Sequence, residues 1–494
     1  MPASTPNQRI LGFRPPPEPS GPVPSVINAN LRPDPKSLEI FPAHVAGDAS
    51  DRRHWLADIQ RRVLYGMRAV HMFGRIANCM SRPIPAGGLR KDGTAYETGA
   101  PGKVQLHQYA DDAYGFAWVQ HCGNPLLCFT CAPKVRHKRR QEVRAATAWA
   151  LNQCLAPIMI TFTAPHYADT DPRRQVDAFQ AAKRRFKSGR WWQEQKAKIG
   201  YKHSIRALEV TMTHPQYGLG NGAHVHDHGI YYCDHLIFTS KDVDGLLADW
   251  LPRWRDCLLA EGVEIRDMDA FWRYGLDFSL PRVRQVTKRN KDGEDEIILI
   301  VDDAEAGKMA DYVADDMAAT ISPALWAMKK RDGNEKTEII NKDDVADQIS
   351  WEISPGIFGK KGRGNSEKDK HINHFEYFAL ALTKYKECRP YMLKLMVALK
   401  GRSWLQWTRG LKQAVGIEEK DDADLMREDG GGVIREYDTQ KEWYPINNRK
   451  LQRRYIRAMV DDGGEAAETA DRMMRIIKAG FDPLTGEAFD DASG

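Results

Sequence analysis

The sequence predicts an α+β fold: a central antiparallel sheet with flanking helices, an N-terminal zinc-binding module and a helical C-terminal region. Three observations predict it. From residue 156 onward, short runs rich in β-branched residues alternate with helical periodicities in the order strand, helix, two strands, helix, strand. Before them, cysteines spaced C-x5-C-x2-C stand directly ahead of a basic helix. After them, apolar residues at helical spacing resume in HFEYFALALTKYKECRPYMLKLMVALKG, which begins at His374.

Eleven of the 27 prolines fall within the first 42 residues, too dense for helix or sheet, so residues 1–50 read as a disordered arm. Trp55, Ile59, Val63 and Met67 are spaced as one face of an amphipathic helix over 55–77. PKVRHKRRQEVRAATAWALNQCL (133–155) reads as a second helix, and the two bound a module spanning 51–150. The next domain, 151–325, opens with a strand at 156–165 that ends at a proline. A helix (174–192), two strands (204–212 and 222–238) and a helix interrupted at Pro252 (242–262) follow. A strand near 275–286, a charged hairpin (KDGEDEIILIVDD) and a helix at 304–320 close it. Residues 326–370, polar and rich in Gly and Lys, read as a mobile insertion. A helical part follows over 371–427, and EDGGG breaks the chain at the start of an acidic, helical tail, 428–494.

Over 494 residues, 72 Lys and Arg against 67 Asp and Glu leave a net charge of +5, too small to name a partner. Local counts say more. Six Lys or Arg and one acid lie between Lys134 and Arg144, nine and one between Ala182 and Arg206, and ten carboxylates between Asp292 and Asp316. No run of about 18 apolar residues occurs, and the N-terminus lacks the layout of a signal peptide, so a cytoplasmic protein without a membrane partner is expected. Eight cysteines in such a chain argue for metal binding over disulfides.

His224, His226 and His228 carry the strongest chemical signal. Alternation along a strand projects all three from one face, within reach of a common ion. Glu209, on the preceding strand, lies beside them if the two strands pair antiparallel, and would add the oxygen ligand. Three hydrogen-bonded surface histidines are the plainer reading. In the cysteine cluster, Cys128 and Cys131 are close enough in sequence to grip one tetrahedral zinc, with Cys122 and Cys79 as further sulfurs. His121 or His137 is an alternative to Cys79. The basic segments suit DNA phosphates through Arg136, Lys138, Arg139 and Arg140, and through Arg184, Arg185 and Arg190, with Trp191 and Trp192 to stack on bases. A solvated helix face with a Trp pair in the core is the rival reading. Tyr312, in KMADYVADDMA, sits at the edge of a stripe formed by Met309, Val313 and Met317. As a nucleophile it would form a phosphotyrosine that conserves the ester bond energy.

Together these pieces resemble the rolling-circle replication initiator (Rep) proteins of plasmids and phages, in the HUH endonuclease superfamily. The resemblance spans about residues 75–412. RIANC with QHCGNPLLCFTCAPKVRHKRRQEV is similar to the family's cysteine region, and MITFTAPH to its first motif. SGRWW, IRALEVT and NGAHVHDHGI resemble the approach to its second motif, KMADY its tyrosine motif, and KGRSWLQWTRGLK a C-terminal stretch of many relatives.

The resemblance implies a ferredoxin- or RRM-like palm. It implies His226 and His228 as the metal-binding pair, Glu209 as a further ligand and Tyr312 as the nicking residue. A divalent Mn or Mg ion would be the cofactor at the histidines, with a structural zinc at the cysteines. Single-stranded or hairpin origin DNA would be the substrate, and host helicase and polymerase the partners. Asp227 departs from the usually hydrophobic position between the histidines, so His224 and His226 fit the motif equally well. Asp315 replaces a lysine, and Asp316 leaves no second tyrosine, as in the single-tyrosine type. Lys308 stands where relatives place a glutamate that activates water, with Glu305 or Asp311 as substitutes. Two other readings are an HUH transposase or relaxase, and a non-catalytic zinc-dependent DNA-binding repressor.

Overall fold

The computed structural model describes residues 49–87, 102–108, 114–153, 155–218, 220–234, 240–279, 283–289, 295–301, 371–422, 424–426, 432–449, 451–462 and 464–489. In chain order, helices α1 (Ala49–Gly66) and α2 (Val70–Ala77) precede strands β1 (Val104–Gln108) and β2 (Tyr114–Ala117) and the long helix α3 (Cys131–Asn152). Strand β3 (Ala156–Thr163), helices α4 (Pro172–Phe186) and α5 (Gly189–Lys198), and strands β4 (Tyr201–Thr213) and β5 (Ala223–Cys233) follow. Next are helices α6 (Ser240–Ala260) and α7 (Met268–Tyr274), and strands β6 (Leu276–Ser279), β7 (Val283–Arg289), β8 (Asp295–Val301) and β9 (His371–Asn373). Helices α8 (His374–Thr383) and α9 (Arg389–Leu399), strand β10 (Leu405–Trp407) and helix α10 (Leu411–Val415) lead to β11 (Gly432–Tyr437) and helices α11 (Tyr444–Asn448), α12 (Gln452–Asp462) and α13 (Ala466–Lys478).

The described residues of 81–119 and 428–494 cluster in one unit, and α1 and α2 cluster with the described residues of 120–427 in another. This division cuts through the expected 51–150 module. In the smaller unit β11 pairs with β1, Tyr437 opposite Val104, in a sheet ordered β11-β1-β2. The expected helical tail therefore contributes a strand, because GVIREY completes a sheet that β1 and β2 begin. Phe116, Tyr437, Trp443 and Tyr455 meet edge-on or tilted in its core, and Tyr437 Oη donates to Tyr455 Oη at 2.9 Å.

The larger unit holds a six-stranded antiparallel sheet ordered β10-β4-β5-β3-β6, with β9 also on β4. The strand expected near 275–286 is two, since β6 joins this sheet while β7 pairs with β8 alone. The helix expected over 55–77 is also broken, where Arg68 takes a left-handed φ of 54°. That over 174–192 breaks at Gly189, whose φ is 74°. Pro252, by contrast, does not interrupt α6, which keeps Trp250, Leu251, Trp254, Cys257 and Leu258 buried on both sides of it. Asp171 caps α4 by accepting from the backbone N–H of Arg173 and Arg174, with Pro172 preset for the first turn.

Alternation divides the sheet's two faces. Ile158, Ile160, Phe162, Leu208, Val210, Met212, Val225 and Tyr231 point into the main core with Phe179, Phe186, Trp250 and Trp254. On the reverse face, Ile205, Ala207, Ile230 and Tyr232 are covered by Val143, Ala146, Ala150 and Leu151 of α3. Farther along that face, Thr161, Thr163, Glu209, Thr211, His224, His226 and His228 remain only partly buried. The histidine strand thus faces away from the main core.

His374 ties the cysteine loop to this sheet. Its Nε2 lies 3.0 Å from Leu126 O and its Nδ1 3.2 Å from Val210 O, and burial together with the Arg136 charge pushes its pKa down to about 3. An unfolded imidazole protonates near 6.5, so between these values the unfolded state binds more protons and stability rises with pH. Lowering the pH from 7 to 5 is expected to remove about 2 kcal/mol through this residue. Melting temperatures across that range should fall less steeply in His374→Gln; an unchanged slope would contradict the assignment.

Candidate metal centre

The β4–β5 register sets Glu209 opposite His226, Ala207 opposite His228 and Thr211 opposite His224. Across the other edge of β5, Thr161 and Thr163 of β3 stand opposite His228 and His226. His228 Nε2 lies 2.7 Å from Glu209 Oε2 and His228 Nδ1 3.0 Å from Thr161 Oγ1. The carboxylate only accepts, which places the proton on Nε2 and leaves Nδ1 to accept from the threonine hydroxyl. For His226, Nδ1 lies 3.4 Å from Thr163 Oγ1 and Nε2 3.3 Å from Thr211 Oγ1. Side chains of His228 and Glu209 keep 19% and 29% of their exposure, enough for a solute to reach them. Burial and the neighbouring imidazoles push His226 down to about 3, although Glu209 opposes this, so the ring is neutral at pH 7 and open to coordination.

Asp227, between the two histidines, points through the sheet to the opposite face. There it forms a buried ion pair with Lys183 of α4. Burial pushes the Lys183 ammonium down to about 8 while Asp227 works against the shift. The aspartate at this unusual position therefore belongs to the core side of the strand.

Cys79, Cys122, Cys128 and Cys131 are all buried, and their sulfurs lie within 4.8 Å of one another. Contacts of 3.4 Å (Cys79 to Cys131) and 3.7 Å (Cys122 to Cys131, Cys128 to Cys79) approach the edge of about 3.8 Å for a tetrahedron with zinc–sulfur arms of 2.3 Å. Gly123, at φ 62°, allows the tight turn after Cys122, and the backbone N–H groups of Asn124 and Cys131 point to sulfur at 3.5 Å. Hydrogen bonds from the Cys122, Cys131 and Cys79 thiols hold the Cys128 thiol well below its ordinary pKa. The quartet fits a structural metal such as zinc. Among the described residues it is the only group of three or more potential ligands gathered this tightly.

The basic residues divide. Arg136 and Arg139, expected at DNA, are buried: Arg136 donates to Pro125 O and lies over the Phe375 and Trp404 rings, and Arg139 pairs with Glu142 and Asp422. Two of the charged side chains of α3 are therefore used internally, while Arg144 is exposed. Lys138 and Arg140 are partly buried, with Arg140 beside His137. Trp192 is buried and Trp191 packs edge-on against Phe186, so the Trp pair belongs to the core and its margin. Arg184, Arg185 and Arg190 are exposed, the last two in surface pairs with Glu261 and Glu194. Tyr312, Glu305 and Asp311 lie outside the described residues, as do residues 1–48 of the arm and the 326–370 insertion.

Two histidines that the sequence did not single out join the face. His166, in the loop after β3, stacks on His224 at 4.0 Å, and His371 lies 5.9 Å from His224 between ring centroids. His166 ends the MITFTAPH stretch, a signal that was available.

Replacing Lys183 by Met would leave Asp227 buried without its partner, at a cost of about 3–5 kcal/mol. Urea unfolding should show that loss, with most of it recovered in Lys183→Met/Asp227→Leu. Equal stability of the single variant and the wild type would contradict the pairing.

No protein-family model matches the chain, and no solved structure matches it. A curated relative does: protein rep of Streptomyces lividans is 25% identical over 409 residues, covering 73% of this chain and 80% of that protein. The similarity supports a Rep-type replication protein.

Proposed function

We propose that the chain is a rolling-circle replication initiator of the single-tyrosine HUH type, which nicks and rejoins one strand of origin DNA. The observation that carries this reading is the 2.7 Å contact between Glu209 and His228 on a partly open sheet face that also holds His226. Further support comes from the antiparallel order β4-β5-β3-β6 with its crossover helices, the arrangement of a ferredoxin-like palm. The similarity to protein rep points the same way.

In this reading His226, His228 and Glu209 hold a divalent Mn or Mg ion, whose chemistry is to polarise the scissile phosphate and offset its developing charge. With Nε2 of His228 as the ligand atom, Nδ1–H would donate a hydrogen bond to Thr161 Oγ1, the outer support typical of ligating histidines. Thr163 supports the His226 ring in the same way. The Tyr312 oxygen, its proton passed to solvent, bonds to phosphorus while the bond to the 3′ oxygen breaks. The electron pair leaves with that oxygen, which takes a proton to become the 3′ hydroxyl that primes synthesis. The 5′ phosphate stays on the tyrosine until a 3′ hydroxyl reverses the exchange. Exposed Arg184, Arg185 and Arg190 supply phosphate contacts, the surface ion pairs of Arg185 and Arg190 being weak enough to exchange.

Supercoiled origin plasmid incubated with the protein and Mn or Mg is expected to be nicked by the wild type. Tyr312→Phe should lose at least about 10²-fold in rate, by analogy with removal of other covalent nucleophiles. Equal nicking by both would sink the tyrosine assignment. His226→Ala should keep DNA binding and lose nicking; full replication function in that variant would instead favour a non-catalytic DNA-binding protein.

A further inference from the structure

Beyond the His228–Glu209 pair, three imidazoles converge at the far end of the same face from three separate elements. His224 comes from β5, His166 from the loop leaving β3, and His371 from β9, which is held against β4 with His371 opposite Thr213. Ring centroids lie 4.0 Å apart for His166 and His224, 5.9 Å for His224 and His371, and 6.3 Å for His166 and His371, while His224 also meets His226 at 3.7 Å. Gly222 permits this approach. Its φ is +80°, and a Cβ there would stand 2.8 Å from Tyr167 O, pushing the His166 loop off the start of β5.

His166 provides a second, independent indication. A backbone hydrogen bond to Ala164 engages the ring, while its Nε2 is buried and makes no hydrogen bond. Leaving a buried polar nitrogen unpaired costs about 1–3 kcal/mol. One nitrogen on a backbone group and the other unspent is how a metal-ligating histidine is held.

We propose that His166, His224 and His371 form a second site for a divalent transition-metal ion, adjoining that of His226, His228 and Glu209 where the His224 and His226 rings meet. Three imidazole nitrogen donors without a carboxylate select borderline ions of the zinc and cobalt class over Mg. Coordination requires the stacked His166 and His224 rings to open toward the splay that His224 and His371 already have, at 58°. His371, the first residue of β9, is exposed. The assignment stands on these three side chains and does not depend on the nicking reaction. Should that reaction hold, the ion adds a positive charge on the face that receives the DNA backbone.

Cobalt counting on the full-length protein tests the site. Metal-stripped protein is reloaded with Co2+ and dialysed, and bound cobalt is measured by mass spectrometry. Cobalt on the cysteine quartet is counted separately by its thiolate charge-transfer bands, which also report that a variant is folded. The wild type is expected to hold two ions beyond the thiolate-bound one. His166→Gln and His371→Ala should each lose one of them, or bind it at least about 10-fold more weakly, with thiolate bands at full intensity. His228→Ala should lose the other. An unchanged count and affinity in both His166→Gln and His371→Ala overturns the proposal, and so does loss of both ions from either, which would indicate one shared centre. Loss in the His166 and His371 variants with no change in His228→Ala keeps this site and removes the one on which the nicking reading rests.

Discussion

Pairing of β4 with β5 in one register decides which side chains share the open face. With Glu209 opposite His226, the odd positions of β4 and the even positions of β5 meet there, and Leu208, Val210, Val225 and Tyr231 go to the core. A slip of one residue would reverse every side chain, burying three imidazoles and exposing apolar residues. The Lys183–Asp227 pair helps oppose that slip, because only in the observed register does Asp227 meet a cation inside the core. An aspartate that looks foreign between two histidines thus fits the strand's two-sided character.

Much of the site could be read from sequence because it depends on local geometry. Period two along a strand places His224, His226 and His228 together without knowledge of the rest, and a C-x2-C pair needs only a turn. Cys79, distant in sequence, joins the quartet as expected. The order of strands and helices over 156–279 was likewise legible, since each element carries its own periodicity.

What could not be read was tertiary. Arg136 and Arg139 look like a DNA-binding helix in one dimension, yet Phe375, Trp404, Glu142 and Asp422 enclose them from elements more than 200 residues away or from the same helix. Trp192 carries the same ambiguity between stacking surface and core, which packing against Phe186 and Trp250 resolves. The pairing of β1 with β11 spans over 300 residues, and no local signal announces it. His166 and His371 enter the histidine face through a loop and a three-residue strand whose positions only the assembled sheet defines.

In the proposed function the histidine face serves a tyrosine that becomes joined to DNA. The most direct measurement is to trap the protein on a labelled single-stranded origin oligonucleotide, resolve the adduct on a denaturing gel and map the modified residue by mass spectrometry. The expected result is a 5′-phosphate adduct on Tyr312 that disappears in Glu209→Gln and His228→Ala, although both still bind the oligonucleotide. An adduct on another residue, or one formed equally well without His228 and Glu209, would contradict it.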